Sequence, residues 1–151
     1  RTPAYDAAMS AVPDTLDSPR PFAGLTPDVV LDALDAVGLR GDGRLLQLNS
    51  YENRVFQVFL EDGSVVVPKF YRPGRWSDAQ ILEEHQFASQ LASAEVPVVA
   101  PMVLGAEAHA AMPVALIGQP PTLACGGGHR FAVYQLTRPE VGNHFEGRFD
   151  F

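Results

Sequence analysis

The sequence predicts an α+β domain with about five antiparallel strands, one leading helix and one main helix. Short Val- and Phe-rich runs separated by Gly, Pro and Asp turns are typical of strands. Two further stretches combine an N-cap residue with a helical apolar period. Because domains commonly run from ~50 to ~250 residues, a chain of 151 residues that is 46% hydrophobic is expected to form one domain with its own core.

Composition and charge exclude several function classes. The net charge of −7, from 11 basic and 18 acidic residues, argues against a general nucleic-acid binder, which needs clustered Lys and Arg. Cys125 is the sole cysteine, so no intrachain disulfide forms, and the four His residues show no spacing typical of zinc ligands. No apolar run reaches the ~18 residues of a membrane span, and residues 1–24 contain no apolar stretch typical of a secretion signal. The chain is therefore predicted to be cytoplasmic, without a membrane partner.

The leading helix is predicted just after a tail at 1–24, whose Pro-, Ala- and Asp-rich composition favours disorder. Thr26 can cap this helix, Pro27 suits its first position, and Gly38 can close it. Its apolar stripe consists of Val30, Leu31, Leu34 and Val37. We expect this short helix to pack on the outside of the sheet that follows.

The strand candidates come next. They are Arg44–Leu48, Arg54–Leu60, Ser64–Tyr71, a short strand at the end of Glu95–Leu104, Met112–Ile117 and His129–Leu136. On the third of these, the two-residue period puts Lys69 on one face with Val67 and Tyr71. Pro68 removes a ladder donor, so it predicts an edge strand or a bulge. The segment 118–128 is predicted to be a loop, with Gly126 to Gly128 at a hairpin tip rather than at a phosphate.

The main helix begins after Ser77, which with Gln80 forms a capping box. At 100° per residue its apolar face holds Ile81, His85, Ala88, Leu91 and Ala92. Glu84 falls inside that face and Glu83 on the polar side. A carboxylate on a buried face needs a partner, and this predicts that Glu84 pairs with the strand lysine.

Lys69 and Glu84 are the strongest candidate site in the sequence. A lysine point charge can hold a phosphate, and a carboxylate that grips the ammonium fixes its position. The alternative is a structural ion pair, within a non-catalytic module whose sheet surface contacts a protein partner. The turn Asn49–Asn53, which includes Ser50, has hydroxyl, amide and backbone N–H groups that can approach phosphate oxygens, although an ordinary polar turn also explains it.

A resemblance to a known family is carried by four runs, LNSYENRVFQV, VVPKFYRPGRW, QILEEHQFASQL and EVPVVAPMV. From about Leu25 to Tyr134 the chain resembles the amino-terminal lobe of the stress response kinase A family, bacterial Ser/Thr protein kinases with an aminoglycoside-phosphotransferase-like kinase fold. The resemblance implies an ATP-binding lobe, with Ser50 in the phosphate-covering loop and Lys69 on the α- and β-phosphates. It implies Glu84 as the partner of that lysine, and Phe131–Leu136 as the lead into the adenine-binding hinge.

Two features depart from the family pattern. Pro68 precedes the lysine where an ordinary apolar strand residue is expected. No H-G-D-x-H-x-x-N-like run, which supplies the catalytic Asp of such kinases, occurs in the chain, and Asp150 follows no catalytic loop. We therefore expect a truncated, catalytically incomplete form, with a lobe at 25–138, an unassigned segment at 139–151 and no carboxy-terminal lobe. The complete enzyme would use ATP and Mg²⁺ and act on a protein substrate, with the metal ligands in the missing lobe.

Overall fold

The computed structural model describes residues 20–105 and 121–136. In chain order the elements are α1 (Pro27–Asp35), β1 (Gly41–Leu48), β2 (Arg54–Leu60), β3 (Val65–Phe70), α2 (Asp78–Ser93), β4 (Ala124–Gly126) and β5 (His129–Gln135). Within this described part, five strands form one antiparallel sheet in the order β1-β2-β3-β5-β4. The predicted α+β class, with five antiparallel strands, a leading helix and a main helix, is confirmed.

The leading helix α1 begins and ends as its sequence predicts. The Thr26 hydroxyl accepts a hydrogen bond from the Val29 backbone N–H at 3.3 Å, and Pro27 occupies the first helical position. Gly38 has a φ of 84°, which a glycine adopts without strain as the chain leaves the helix. Three side chains of α1 are buried against the sheet: Val30, Ala33 and Leu34.

The sheet has a helix on each side, and the two sides differ in composition. The α1 face is an apolar cluster of buried residues: Val30, Ala33, Leu34, Val37, Phe56, Val58, Leu60, Val66, Phe70, Leu104, Ala124, Phe131 and Val133. The α2 face is smaller, with a buried apolar and aromatic cluster: Val55, Val67, Tyr71, Ile81, Leu123, Ala132 and Tyr134. The predicted alternation along β3 is confirmed, because Val66 and Phe70 lie on the α1 face while Val67 and Tyr71 lie on the α2 face.

Pro68 lies in the middle of the sheet, so the prediction of an edge strand or a bulge was wrong. Strand β3 is paired on both sides, by β2 and by β5. The β2 register is the same before and after Pro68, with Arg54 opposite Phe70 and Val58 opposite Val66. The ladder therefore contains no inserted residue, and neighbouring pairs hold the strand where proline lacks a donor.

The segment before β4 also differs from its prediction. The end of Glu95–Leu104 is extended chain rather than a strand, although the Met102 N–H donates to the Val133 carbonyl oxygen at 2.7 Å. The sequence was wrong to place Ala124–Gly126 in a loop, because these residues form β4, which pairs with β5. Gly126 is required there, since a Cβ at this position would lie 2.6 Å from the Ala33 Cβ of α1. The hairpin turn at Gly127 and Gly128 is as predicted, with positive φ at both.

Several sequence predictions fall wholly or partly outside the described residues. The strand candidate Met112–Ile117 and the unassigned segment 139–151 lie there entirely. The predicted disordered tail overlaps the described part at 20–24, where the chain instead forms a turn. In this turn the Phe22 ring stacks on His129 at a centroid distance of 5.8 Å. No helix in the described part is long and apolar enough to cross a membrane.

Candidate functional site

Lys69 projects from β3 onto the α2 face of the sheet. It lies opposite Val55 of β2 and Ala132 of β5, so its strand neighbours are small and apolar. The side chain is only 8% exposed, and its Nζ lies 4.0 Å from Oε1 of Glu84. The same Nζ lies 5.0 Å from the centre of the Tyr71 ring, within the range of a cation–π contact.

Burial destabilises the charged form of Lys69. It lowers the pKa of the ammonium below its ordinary value, and the negative charge of Glu84 opposes this change. A cation held in an apolar setting gains more from a further negative group than a solvated one does. The site is thus electrostatically suited to an anionic ligand.

Glu84 meets Lys69 as predicted, but it is not buried. Its side chain is 59% exposed, whereas Ile81 and His85 of the same helix are buried. At 3.6 residues per turn, Glu84 lies roughly 60° around the helix from Ile81, which is at the margin of a narrow buried face. The carboxylate therefore faces the lysine from the open side of the helix. The prediction that it points into the buried face was wrong in this respect.

Ser50 lies in the loop between β1 and β2, near the strand end that carries Lys69. Leu48, the last residue of β1, pairs with Val55, and Val55 pairs with Lys69 on the next strand. Among the described residues, the Ser50 hydroxyl oxygen is buried and has no hydrogen-bond partner. A buried hydroxyl without a hydrogen-bond partner is unfavourable unless a ligand or a water molecule supplies that partner.

Polar contacts hold this loop to the segment that follows β3. The Asn53 side chain is buried, and its Oδ1 accepts a hydrogen bond from the Arg72 backbone N–H at 3.3 Å. Glu52 pairs with Arg75 at 3.0 Å. Tyr51, by contrast, is 95% exposed at the tip of the loop. The loop is thus fixed at its base, and its tip projects into solvent.

A buried polar chain, which the sequence analysis missed, lies beside Lys69 and Glu84. Nε2 of His85 lies 2.8 Å from the Tyr71 hydroxyl oxygen, and Nδ1 lies 2.9 Å from Oγ1 of Thr122. Tyr134 lies in the same buried cluster as Tyr71. The sequence offered one signal, a histidine on the apolar face of a helix. Thr122 was not detectable, because it is 37 residues from His85 along the chain.

Burial keeps this chain of side chains uncharged. It lowers the pKa of His85 to about 4, with a further contribution from the nearby positive charge of Lys69. It raises the pKa of Tyr134 to about 12, and it raises that of Tyr71 further above the ordinary value. His85 is therefore a neutral imidazole with both ring nitrogens hydrogen-bonded.

The amino-terminal end of α2 is attached to the sheet separately. The capping box of Ser77 and Gln80 is present as predicted. The Arg130 guanidinium donates to Oδ1 of Asp78 at 2.5 Å and to the Trp76 carbonyl oxygen at 2.6 Å. Since Arg130 belongs to β5, these bonds connect the start of the helix to the strand that pairs with β3 on the side opposite β2.

Other parts of the predicted site are not present in the described residues. Residues 131–135 of the segment Phe131–Leu136 belong to β5. The hinge expected beyond this segment lies outside the described part. Within 20–105 and 121–136, no group of three or more His, Cys, Asp or Glu side chains could hold a metal ion.

The profile of the phosphotransferase enzyme family matches residues 44–139, a range that contains all of the sheet except the start of β1, as well as helix α2. The chain belongs to this family. Its five-stranded sheet and two helices form the amino-terminal lobe of the kinase-like fold, with Lys69 on a central strand and Glu84 on the helix that packs over it.

The similar proteins carry kinase names. The chain is 50% identical over 121 residues to "Stress response kinase A" of Escherichia coli O157:H7, covering 80% of this chain and 31% of that protein. It is 42% identical over 130 residues to "Serine/threonine protein kinase RdoA" of Salmonella typhimurium, covering 84% of this chain and 38% of the relative. The sequence-based assignment to the stress response kinase A family is confirmed. The chain spans 31% to 38% of the length of these relatives.

Proposed function

We propose that this chain is the ATP-binding lobe of a Ser/Thr protein kinase, which in complete form transfers the γ-phosphate of ATP to a protein hydroxyl. One observation carries the proposal: the buried Lys69 ammonium lies 4.0 Å from the exposed carboxylate of Glu84. The phosphotransferase family and the kinase names of the relatives support the same reaction.

The three site residues have different tasks in this proposal. Lys69 supplies a point charge to the α- and β-phosphate oxygens, and burial strengthens that interaction by lowering the local dielectric constant. Glu84 attracts the ammonium from the solvent side and so fixes its position. Ser50 donates its hydroxyl hydrogen to a phosphate oxygen, which would satisfy the buried oxygen that has no partner in the described residues.

Chemistry requires groups beyond these three. Kinases of this kind use a catalytic Asp to orient the acceptor hydroxyl, and Mg²⁺ neutralises the charge on the phosphates. The chain contains no H-G-D-type run, and its described residues contain no metal-binding cluster. We therefore infer that these 151 residues alone bind ATP weakly at most and do not transfer phosphate. The cytoplasmic location and the protein substrate remain predictions.

The test is a titration of the 151-residue chain with a fluorescent ATP analogue, alone and with the carboxy-terminal part of the Escherichia coli relative added. The Lys69→Met variant should weaken binding at least about tenfold, which corresponds to roughly 1.4 kcal/mol. Arg40→Met is the matched control, since it removes one positive charge from an exposed side chain in a pair with Asp35. It should bind like the unchanged chain.

Two results would contradict the proposal. If nucleotide binding does not depend on Lys69, either in the chain alone or with the carboxy-terminal part added, Lys69 does not bind the phosphates. Phosphoryl transfer by the 151-residue chain alone would show that the catalytic groups lie within it, and the inferred incompleteness would be wrong. Binding is measured with the fluorescent analogue, and phosphoryl transfer is measured in parallel samples with ATP that carries a radiolabelled γ-phosphate.

A second candidate function is a protein-interaction module in which Lys69 and Glu84 are a structural ion pair. Exposed apolar side chains near the end of α2 and beyond it favour this alternative: Phe87, Val96, Val98, Val99 and Val103. In the kinase proposal these side chains would contact the second lobe. The two candidates are separated by Lys69→Met, which weakens nucleotide binding in the first and leaves binding of the protein partner unchanged in the second.

A further inference from the structure

The hydrogen bond between Tyr71 and His85 joins close neighbours of the proposed site pair. Tyr71 follows Lys69 by two positions and lies on the same face of the chain, and His85 directly follows Glu84 in α2. The Tyr71 hydroxyl oxygen lies 2.8 Å from Nε2 of His85, and both side chains are buried. This bond therefore connects the backbone that carries the lysine to the helical turn that carries the glutamate.

Apolar packing alone leaves the position of α2 weakly defined. Ile81 is its one fully buried apolar side chain, and Leu82 is half-buried beside it. Burial of apolar surface is non-directional, so a contact centred on one side chain permits the helix to rotate or slide about it. A hydrogen bond has strict distance and angle requirements. The hydrogen bond of His85, one turn after Ile81, therefore removes that freedom.

The ion pair is too weak to hold the helix in place. Lys69 Nζ and Glu84 Oε1 are 4.0 Å apart, and the carboxylate side chain is more than half exposed. Because Glu84 is largely in solvent, water screens its charge and its long side chain loses entropy when it is held in place, so the net contribution of the pair is small. The pair is therefore better understood as a result of the helix position than as its cause.

We propose that Tyr71 and His85 are positioning residues that set α2 on β3 and so hold the Glu84 carboxylate at the Lys69 ammonium. The geometry stands by itself, while its consequence for nucleotide binding rests on the ATP-binding role proposed above. Thr122 completes the arrangement, because its Oγ1 lies 2.9 Å from Nδ1 of His85. With both ring nitrogens engaged, the imidazole has one favoured orientation.

The test uses the fact that Lys69 is the only lysine in the chain. With ¹³C-labelled lysine, the protein gives a single side-chain Cε signal by NMR, and its titration reports the pKa of Lys69. The change in this pKa on Glu84→Gln measures the coupling of the pair. The measurement is then repeated in a Tyr71→Phe background, which completes a double-mutant cycle. If Tyr71 positions the helix, Glu84→Gln should change the Lys69 pKa far less in that background.

A merely structural role predicts a different result. Leu34→Ala, on the opposite face of the sheet, is the control for lost stability and should leave the coupling unchanged while the chain is folded. An unchanged coupling in Tyr71→Phe would overturn the proposal. If Tyr71→Phe does not fold, Thr122→Val removes the partner of the other ring nitrogen and is judged by the same criterion, with a smaller expected loss.

Nucleotide titration separates this proposal from the one it builds on. If both hold, Tyr71→Phe should weaken binding of the ATP analogue about fivefold, roughly 1 kcal/mol, while the control Arg40→Met, at an exposed position outside the site, should not. If the unchanged chain binds no nucleotide in the mixture with the second lobe, the ATP role fails, and the coupling measurement still decides the positioning role. Full affinity in Tyr71→Phe with the coupling lost would overturn the functional consequence alone.

Discussion

The two faces of the sheet are held to their helices by different kinds of interaction. On the α1 face the buried cluster is entirely hydrophobic, and α1 adds Val30, Ala33 and Leu34 to it. On the α2 face the helix adds one fully buried apolar residue, Ile81, and a buried histidine, and the sheet adds a buried lysine. The first face is thus a core of the ordinary kind. The second combines a small core with polar groups that have specific partners.

This difference separates stability from position. Apolar contacts stabilise in proportion to buried area and tolerate small shifts, since surface can be repacked. Hydrogen bonds and ion pairs contribute less net free energy, but a hydrogen bond is lost when its distance or angle moves outside a narrow range. We infer that the α1 face provides most of the stability of the lobe, while the α2 face sets the geometry at Lys69.

The largest expected effect is on the α1 face. Leu34→Ala removes a fully buried side chain and should lower the free energy of unfolding by about 3 kcal/mol, through lost transfer energy and a cavity. Urea denaturation followed by circular dichroism measures this. Leu46→Ala, at an exposed position in β1, is the control and should have little effect. A loss as small as that of the control would show that the α1 face is not the main source of stability.

The next effect is a pH dependence confined to the α2 face. The pKa of His85 is about 4 in the folded chain and 6.5 in an exposed histidine, so its stabilising contribution is complete above pH 6.5. As the pH falls from 6.5 to about 4, the unfolded state takes up the proton first, and up to roughly 3 kcal/mol should be lost. His85→Gln should lack this part of the slope. Parallel stability curves for the two proteins between pH 7 and pH 4 would contradict the assignment.

A smaller effect of opposite sign is expected at Lys69. Lys69→Met replaces a buried cation by an apolar side chain of similar length and leaves Glu84 largely in solvent. The free energy of unfolding should rise by about 1 kcal/mol, because the unfavourable burial of charge disappears. Thermal and urea denaturation of both proteins at pH 7 measure it. A clear loss of stability would mean that the ammonium is a structural group, as in the interaction-module alternative.

The smallest effect on stability should come from Glu84→Gln. The exposed carboxylate should contribute less than about 1 kcal/mol to the free energy of unfolding, while its removal should lower the pKa of Lys69 further. The NMR titration of the single lysine measures the pKa, and urea denaturation measures the stability. A loss as large as that of Leu34→Ala would show that the ion pair holds α2 after all, and the contrast between the faces would disappear.

Local patterns predicted most of the elements, because their signals lie within a few residues. The Thr26 cap, the Ser77–Gln80 capping box and the alternation along β3 are all confirmed. The errors arose where the deciding contact is distant. Pro68 looked like an edge residue until β5 was paired beside it, and Ala124–Gly126 looked like a loop until it met the same strand.

The sequence by itself determined the class of the fold, the family and the identity of the lysine and glutamate that meet. The reason is that helix caps, apolar periodicity and family-specific runs each involve residues close together in the sequence. Only the tertiary structure decided that Glu84 stays in solvent while Lys69 is buried, and that His85, Tyr71 and Thr122 form one buried chain. The physical reason is that burial and hydrogen bonding depend on which segments meet. Thr122 approaches His85 across 37 positions of sequence, a distance over which no periodicity carries information.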